Sequence, residues 1–146
     1  MFSKIIVAYD GTESAHDILD EAVELAAKFQ SSVHLLAVVT RSAGELIGDS
    51  AYATEQPAAD TEAKRQAVQE AEALFTARGC AVETHVTLDD QPEAAIRDLA
   101  AELEADLIIL GHRRQGALAR LWNGSTGMAL LANAPCSVLI AMRERR

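Results

Sequence analysis

The chain has 146 residues, of which 49% are hydrophobic, and its 22 acidic against 13 basic residues give a formal net charge of -9. This length predicts one domain over residues 1–146, with a core of its own. The acidic excess argues against nucleic-acid binding, because it repels phosphate backbones. No apolar run approaches the roughly 20 residues of a membrane span, and no secretory signal pattern is present, so we expect a cytoplasmic protein without membrane insertion.

Five short stretches have the composition of β-strands. Four of them are almost continuously apolar, as expected for parallel strands covered on both faces: "KIIVAY" (4–9), "SVHLLAVV" (32–39), "DLIIL" (106–110) and "SVLIA" (137–141). The fifth, "AVETHVTL" (81–88), alternates apolar and polar residues, so one of its faces should contact water. It is therefore predicted to be an edge strand.

Helical periodicity occupies the intervals between these strands. Three stripes of apolar residues recur at helical spacing: Ile18, Ala22, Leu25, Ala26 and Phe29; Ala67, Ala71, Leu74 and Phe75; Ala95, Ile96, Leu99, Ala100 and Leu103. A short fourth helix is predicted from about Ser125 to Asn133, ending before Pro135. The stretch 41–60 is polar and has no period, which predicts a surface loop.

Capping residues are predicted at the start of two helices. Thr12 or Ser14 is expected to cap the first helix. The third should begin with Asp90 as its N-cap, Pro92 in its first turn and Glu93 at the capping-box position.

Strands that alternate with helices predict an α/β protein. We expect a single doubly wound domain, with a five-stranded parallel sheet of order 3-2-1-4-5 and helices on both faces. Ligands bind such sheets beyond the carboxyl ends of the strands, where the winding direction reverses. That point lies between the first and fourth strands, which end in "AYDGT" and "LGHRR".

The charges are unevenly distributed along the chain. The segment from Leu107 to Arg143 contains no Asp or Glu, but it carries four arginines: Arg113, Arg114, Arg120 and Arg143. If this segment is mostly buried, burial explains why it contains no acidic residue, but it does not explain why four arginines are present. Arginines beside a helix start at "GST" favour anion binding, because guanidinium groups and free backbone N–H groups both donate to phosphate.

Three stretches resemble the universal stress protein family, over essentially the whole chain. They are "KIIVAYDGTESA", "ADLIILGHRR" and "NGSTGMALLANAPCSVLIA". The resemblance implies a nucleotide-binding fold of the HUP superfamily and a role in the stress response. It also implies binding of ATP, with Mg²⁺, by a regulatory protein with at most weak ATP hydrolysis.

The family's nucleotide-binding motif is incomplete in this chain. The motif is G-x-x-G, nine residues, then G-[ST]. Gly111 and Gly124-Ser125 keep this spacing, whereas Arg114 stands at the second glycine position. The arginine side chain either obstructs the close approach of phosphates that glycine permits, or replaces it with a bidentate contact. The sequence leaves both alternatives open.

The resemblance places the adenine and ribose near the ends of the first, second and fourth strands, and the phosphates near the last helix. The predicted nucleotide-binding residues are Ala8, Tyr9, Asp10, Val38, Leu110, Gly111, His112, Arg113, Arg114, Gly124, Ser125 and Thr126. Asp10 either orders the ribose or a metal ion on the phosphates, or holds the first turn. No catalytic residue is predicted.

Known catalytic motifs do not fit. There is no P-loop and no G-x-G-x-x-G, and "NGSTG" lacks the first glycine of a nucleophile elbow. Two hypotheses remain. The chain is either a regulatory protein that switches its conformation or its partner with ATP, or a dimeric interaction module whose arginines bind another anion or an acidic partner.

A homodimer is predicted through the C-terminal strand, whose sequence "PCSVLIAMRERR" has no helix after it to cover the sheet edge. The family resemblance implies the same assembly. The regulatory partner protein is not identified by the sequence.

Overall fold

A computed structural model describes residues 1–9, 16–39, 56–111 and 126–141. Strands and helices alternate along the chain, as predicted. The elements are β1 (Lys4–Ala8), α1 (His16–Phe29), β2 (Ser32–Val39), α2 (Gln56–Ala77), β3 (Ala81–Leu88), α3 (Pro92–Leu103), β4 (Leu107–Gly111), α4 (Thr126–Asn133) and β5 (Ser137–Ala141).

The five strands form one parallel sheet of order β3-β2-β1-β4-β5. The predicted fold class and strand order are therefore confirmed. The central strand β1 pairs with β2 on one side and with β4 on the other. The two edges are β3, as its alternating sequence predicted, and β5.

Each face of the sheet carries its own apolar core. On one face Ile5, Val7 and Leu35 lie in a cluster with residues of α1 and α2, including Leu19 and Phe75. On the other face Ile6, Leu36 and Ile108 lie in a cluster with Ile96 of α3 and Leu130 of α4. Burial of each large aliphatic side chain contributes about 1.5–3 kcal/mol, so the two clusters fix the positions of the strand ends.

Helix α2 departs from the sequence prediction at two points. Its first residues, 56–60, belong to the stretch predicted as loop, because Pro57 suits a first helical turn and two alanines follow it. Its buried stripe also differs: Leu74 is 40% exposed, and Val68 takes its place beside Ala71 and Phe75. None of the described helices is both long and apolar enough to span a bilayer.

The start of α3 corrects another prediction. The N-cap position is held by Gln91, not Asp90, and no side chain caps the helix. Pro92 takes a first helical position, so the residue directly before it becomes the cap. The carboxylate of Asp89 instead accepts a hydrogen bond from the backbone N–H of Gln91 at 2.9 Å. The predicted caps of α1, Thr12 and Ser14, lie outside the described residues.

Candidate functional site

The carboxyl ends of β1 and β4 lie side by side, because the two strands are parallel neighbours. Ile5 pairs with Leu107 and Val7 pairs with Ile109, so the register carries Ala8 next to Leu110. Both side chains are buried in the cluster on the α3 and α4 face. The winding direction of the sheet reverses between these strands, which is where doubly wound folds bind ligands.

Strand β2 supplies a wall beyond the end of β1. Ala8 pairs with Leu36, and β2 continues to Val39. Val38 is 2% exposed and belongs to the same cluster as Ala8 and Leu110. The three side chains are aliphatic and buried, so the core directly beneath these strand ends is apolar.

Helix α4 begins on the same face of the sheet. Leu130 of α4 is fully buried in the cluster that holds Ala8, Val38 and Leu110. Thr126 begins the helix about one turn, roughly 6 Å, before Leu130. The first backbone N–H groups of a helix have no partner within the helix, and they attract anions.

Tyr9 and Gly111 complete the described part of the crevice. The backbone N–H of Tyr9 donates to the carbonyl of Leu36 at 2.9 Å, which extends the β1–β2 pairing past the end of the strand. Its side chain is 4% exposed and lies in the cluster on the opposite face. Gly111 is the last residue of β4 and pairs with Ala141.

Six of the twelve predicted site residues are described. Five of them lie at or next to the carboxyl ends of the neighbouring strands β2, β1 and β4: Ala8, Tyr9, Val38, Leu110 and Gly111. The sixth, Thr126, begins α4. The other six lie outside the described residues: Asp10, His112, Arg113, Arg114, Gly124 and Ser125.

A second group of polar side chains, which the sequence analysis missed, lies between β2 and β3. His34 Nδ1 is 3.0 Å from His85 Nε2 and 3.7 Å from the Glu83 carboxylate. Burial lowers the pKa of His34, and His85 lowers it further. The available signal was a histidine within an otherwise apolar strand, together with a Glu-x-His sequence that puts two polar side chains on one strand face.

The family model described as "Universal stress protein family" matches residues 1–141. The chain belongs to the universal stress protein family. Two full-length relatives agree with this assignment. One from Thermus aquaticus is 32% identical over 143 residues, covering 96% of this chain and 98% of the relative. Universal stress protein Sll1388 of Synechocystis is 29% identical over 150 residues, covering 95% and 97%.

Solved structures of universal stress proteins have the same fold. One from Burkholderia pseudomallei is 28% identical, with a TM-score of 0.70 and 96% of each chain covered. An Archaeoglobus fulgidus protein in complex with dAMP is 22% identical, with a TM-score of 0.64 over 96% of this chain and 98% of that one. A third, in complex with cAMP, is 20% identical, with a TM-score of 0.67 and 98% of each chain covered.

Proposed function

We propose that this universal stress protein binds an adenine nucleotide, ATP, in the crevice between β1 and β4. On this proposal, binding alters its conformation or its association with a regulatory partner, without turnover. The observation that carries the proposal is that the carboxyl ends of β1 and β4 lie side by side, with α4 packed through Leu130 on the same face of the sheet. The dAMP and cAMP complexes of two relatives support an adenine ligand.

In this proposal the base lies over the carboxyl ends of β1, β2 and β4. The side chains beneath it, Ala8, Val38 and Leu110, are aliphatic and buried in the core, so the base rests on an apolar layer. The ring of Tyr9 is buried on the opposite face, so in this proposal Tyr9 contributes its backbone only. Backbone groups at strand ends then donate to and accept from the polar edge of the purine.

The phosphates are assigned to the segment that leads into α4. Gly124, Ser125 and Thr126 keep the family's G-[ST] sequence at the helix start, where backbone N–H groups favour negative charge. We assign Arg114, with His112 and Arg113 beside it, to the same phosphates through side-chain contacts. A guanidinium binds phosphate in bidentate geometry, so an arginine can replace the backbone contact that the motif glycine gives elsewhere in the family.

Mg²⁺ is assigned to the bound phosphates, with Asp10 as its protein ligand. The aliphatic residues Ala8, Val38 and Leu110 supply no oxygen ligand, so an ion there depends on the phosphate oxygens, with the Asp10 carboxylate and the hydroxyls of Ser125 and Thr126 as the side-chain donors that the sequence offers. Such a site suits Mg²⁺, which usually keeps several waters. When bound, the ion neutralises phosphate charge.

A homodimer through β5 forms part of the proposal. This strand ends the sheet on one side, and Leu139 is 37% exposed on it. Met128 and Leu131 of the neighbouring helix α4 are 67% and 40% exposed. Pairing of two β5 strands satisfies their edge hydrogen-bonding groups and covers apolar surface that water otherwise contacts.

Retention of intact ATP separates binding from turnover. Purified protein is incubated with ATP and Mg²⁺, passed through a desalting column and denatured, and the released nucleotide is identified by anion-exchange chromatography. We expect ATP close to one equivalent per chain, with no accumulation of ADP. Steady production of ADP in excess of the protein contradicts a switch without turnover.

The dimeric interaction module is the second candidate, and it is favoured by the exposed apolar residues of β5 and α4. It requires a dimer but no nucleotide, and its arginines bind another anion or an acidic partner. A dimer that retains no ATP in the experiment above supports it.

A further inference from the structure

Three side chains with metal-binding atoms converge where β2 and the edge strand β3 pair. His34 pairs with Glu83, and His85, two residues along β3, pairs with Leu36. Alternate residues of a strand share a face. All three side chains therefore lie on the face that carries α3 and α4.

The donor atoms are already close to the separations that a metal ion requires. His34 Nδ1 lies 3.0 Å from His85 Nε2 and 3.7 Å from Glu83 Oε2, and all three donor atoms lie within 4.8 Å of one another. A tetrahedral Zn²⁺ ion with bonds of about 2.0–2.2 Å separates its ligand atoms by roughly 3.3–3.6 Å. The first two separations thus need changes of only about 0.5 Å or less to reach this range.

The burial of the three residues suits a site that is anchored on one side and open on the other. The side chain of His34 is only 7% exposed and sits in the paired strand β2, whereas that of Glu83 is 68% exposed. A half-buried His85 lies between these extremes. The imidazole of His34 is therefore held in place, while the glutamate is free to adjust to an arriving ion.

We propose that His34, Glu83 and His85 bind one divalent transition-metal ion of the Zn²⁺ class. Two imidazole nitrogens and one carboxylate oxygen match the donors that Zn²⁺ takes in proteins, whereas Mg²⁺ and Ca²⁺ prefer oxygen alone. The three protein ligands leave the fourth tetrahedral position to water. The present contact between the two rings needs a proton on one of the facing nitrogens. When the ion binds, that ring takes its other tautomer, with the proton on the far nitrogen, and both facing lone pairs are donated to the ion.

This site is separate from the proposed nucleotide crevice. His34 precedes Val38 by four residues of β2, a distance of about 13 Å along the strand. The ion joins β3 to β2 at the edge of the sheet, so its expected effect is to stabilise that edge. The inference does not depend on nucleotide binding.

Zinc titration of untagged, full-length protein tests the proposal. The protein is treated with EDTA, dialysed without nucleotide and titrated with ZnCl₂ by calorimetry. We expect one ion per chain. The exposed Glu83→Gln change should weaken binding at least tenfold and His85→Gln at least a hundredfold, whereas Glu102→Gln, at an exposed position of α3, should leave it unchanged.

Two further readouts keep the test decisive if His85→Gln does not fold. Co²⁺ should give the intense visible absorption of a four-coordinate site in wild type and lose that intensity in Glu83→Gln. Zn²⁺ should raise the thermal unfolding midpoint of wild type and of Glu102→Gln, but not of Glu83→Gln, and EDTA should reverse the shift. MgCl₂ should not raise the unfolding midpoint of any of these proteins.

The proposal is overturned if wild type binds less than one Zn²⁺ per chain at about 100 µM free Zn²⁺, because we expect a site with three protein ligands to be filled at that concentration. It is also overturned if Glu83→Gln and His85→Gln both bind Zn²⁺ as wild type does, since the ion then binds elsewhere.

Discussion

Val7 of β1 pairs in parallel with Ile109 of β4, and both side chains are buried in the core that α1 and α2 cover. This pairing of residues that are distant in sequence brings the carboxyl ends of β1 and β4 side by side. The residues that follow, Ala8 and Leu110, point to the other face, on which α4 packs through Leu130. The register of this one strand pair therefore positions the crevice to which we assign the nucleotide.

Removal of the Ile109 side chain tests how far this pairing supports the fold. Ile109 is fully buried, so Ile109→Ala leaves a cavity and should lower the free energy of unfolding by about 2–5 kcal/mol. Leu88→Ala, at a position 53% exposed on β3, is the matched control and should cost less than about 0.5 kcal/mol. Urea unfolding measures both, and equal losses contradict the assigned core.

The assignment of Arg114 to the phosphates predicts a loss of affinity when its side chain is removed. Arg114→Ala should weaken ATP binding by about 1–3 kcal/mol, as expected for a lost hydrogen bond to a charged group. That corresponds to about 5- to 150-fold in Kd. Arg65→Ala, which removes an exposed arginine of α2, is the control and should leave the Kd unchanged. Tighter binding by Arg114→Gly contradicts the contact and indicates obstruction instead.

A charge at the free edge of β5 should prevent dimer formation. Leu139→Lys places a cation on the strand assigned to the interface, where pairing buries it. We expect light scattering to report a dimer for wild type and a folded monomer for this variant. Leu88→Lys makes the same change on the opposite edge strand and should remain dimeric. A monomeric wild type at micromolar concentration contradicts the proposed assembly.

Cys136 should react slowly as a nucleophile. Burial raises the pKa of its thiol above the usual range of a cysteine, and the carboxylate of Asp106 raises it further. The reactive thiolate is therefore scarcer at pH 8 than in an exposed cysteine. Alkylation by iodoacetamide, followed by mass spectrometry of the Cys136 peptide, should be slower than that of glutathione and should still accelerate above pH 9. A rate that levels off below pH 9 contradicts this environment.

The fold could be predicted from the sequence because its signals are local. Continuous apolar runs identified β1, β2 and β4 as buried strands, and the alternation in 81–88 identified β3 as an edge. The same kind of run in β5 was wrongly expected to be covered on both faces, because β5 ends the sheet and alternates between exposed and half-buried residues. Where the prediction was wrong, either a competing local effect or long-range packing decided. Pro92 moved the N-cap of α3 to Gln91, and the packing of α2 buried Val68 in place of Leu74.

The candidate sites were less predictable, because they depend on which residues the topology brings together. The strand order indicated that Ala8 and Leu110 would meet, since that follows from the switch point alone. The contact between His34 and His85 depends instead on the β2–β3 register, which periodicity does not specify. That register is visible only in the structure.

The measurement that tests the central claim most directly is a calorimetric titration of the protein with ATP and Mg²⁺. We expect saturable heat in wild type. Ser125→Asp should abolish it, because the change places a carboxylate among the phosphates at the start of α4. Ser137→Asp makes the same substitution at an exposed residue at the amino end of β5 and should leave the heat unchanged. No heat up to millimolar ATP in wild type, or full binding by Ser125→Asp, contradicts the proposed nucleotide site.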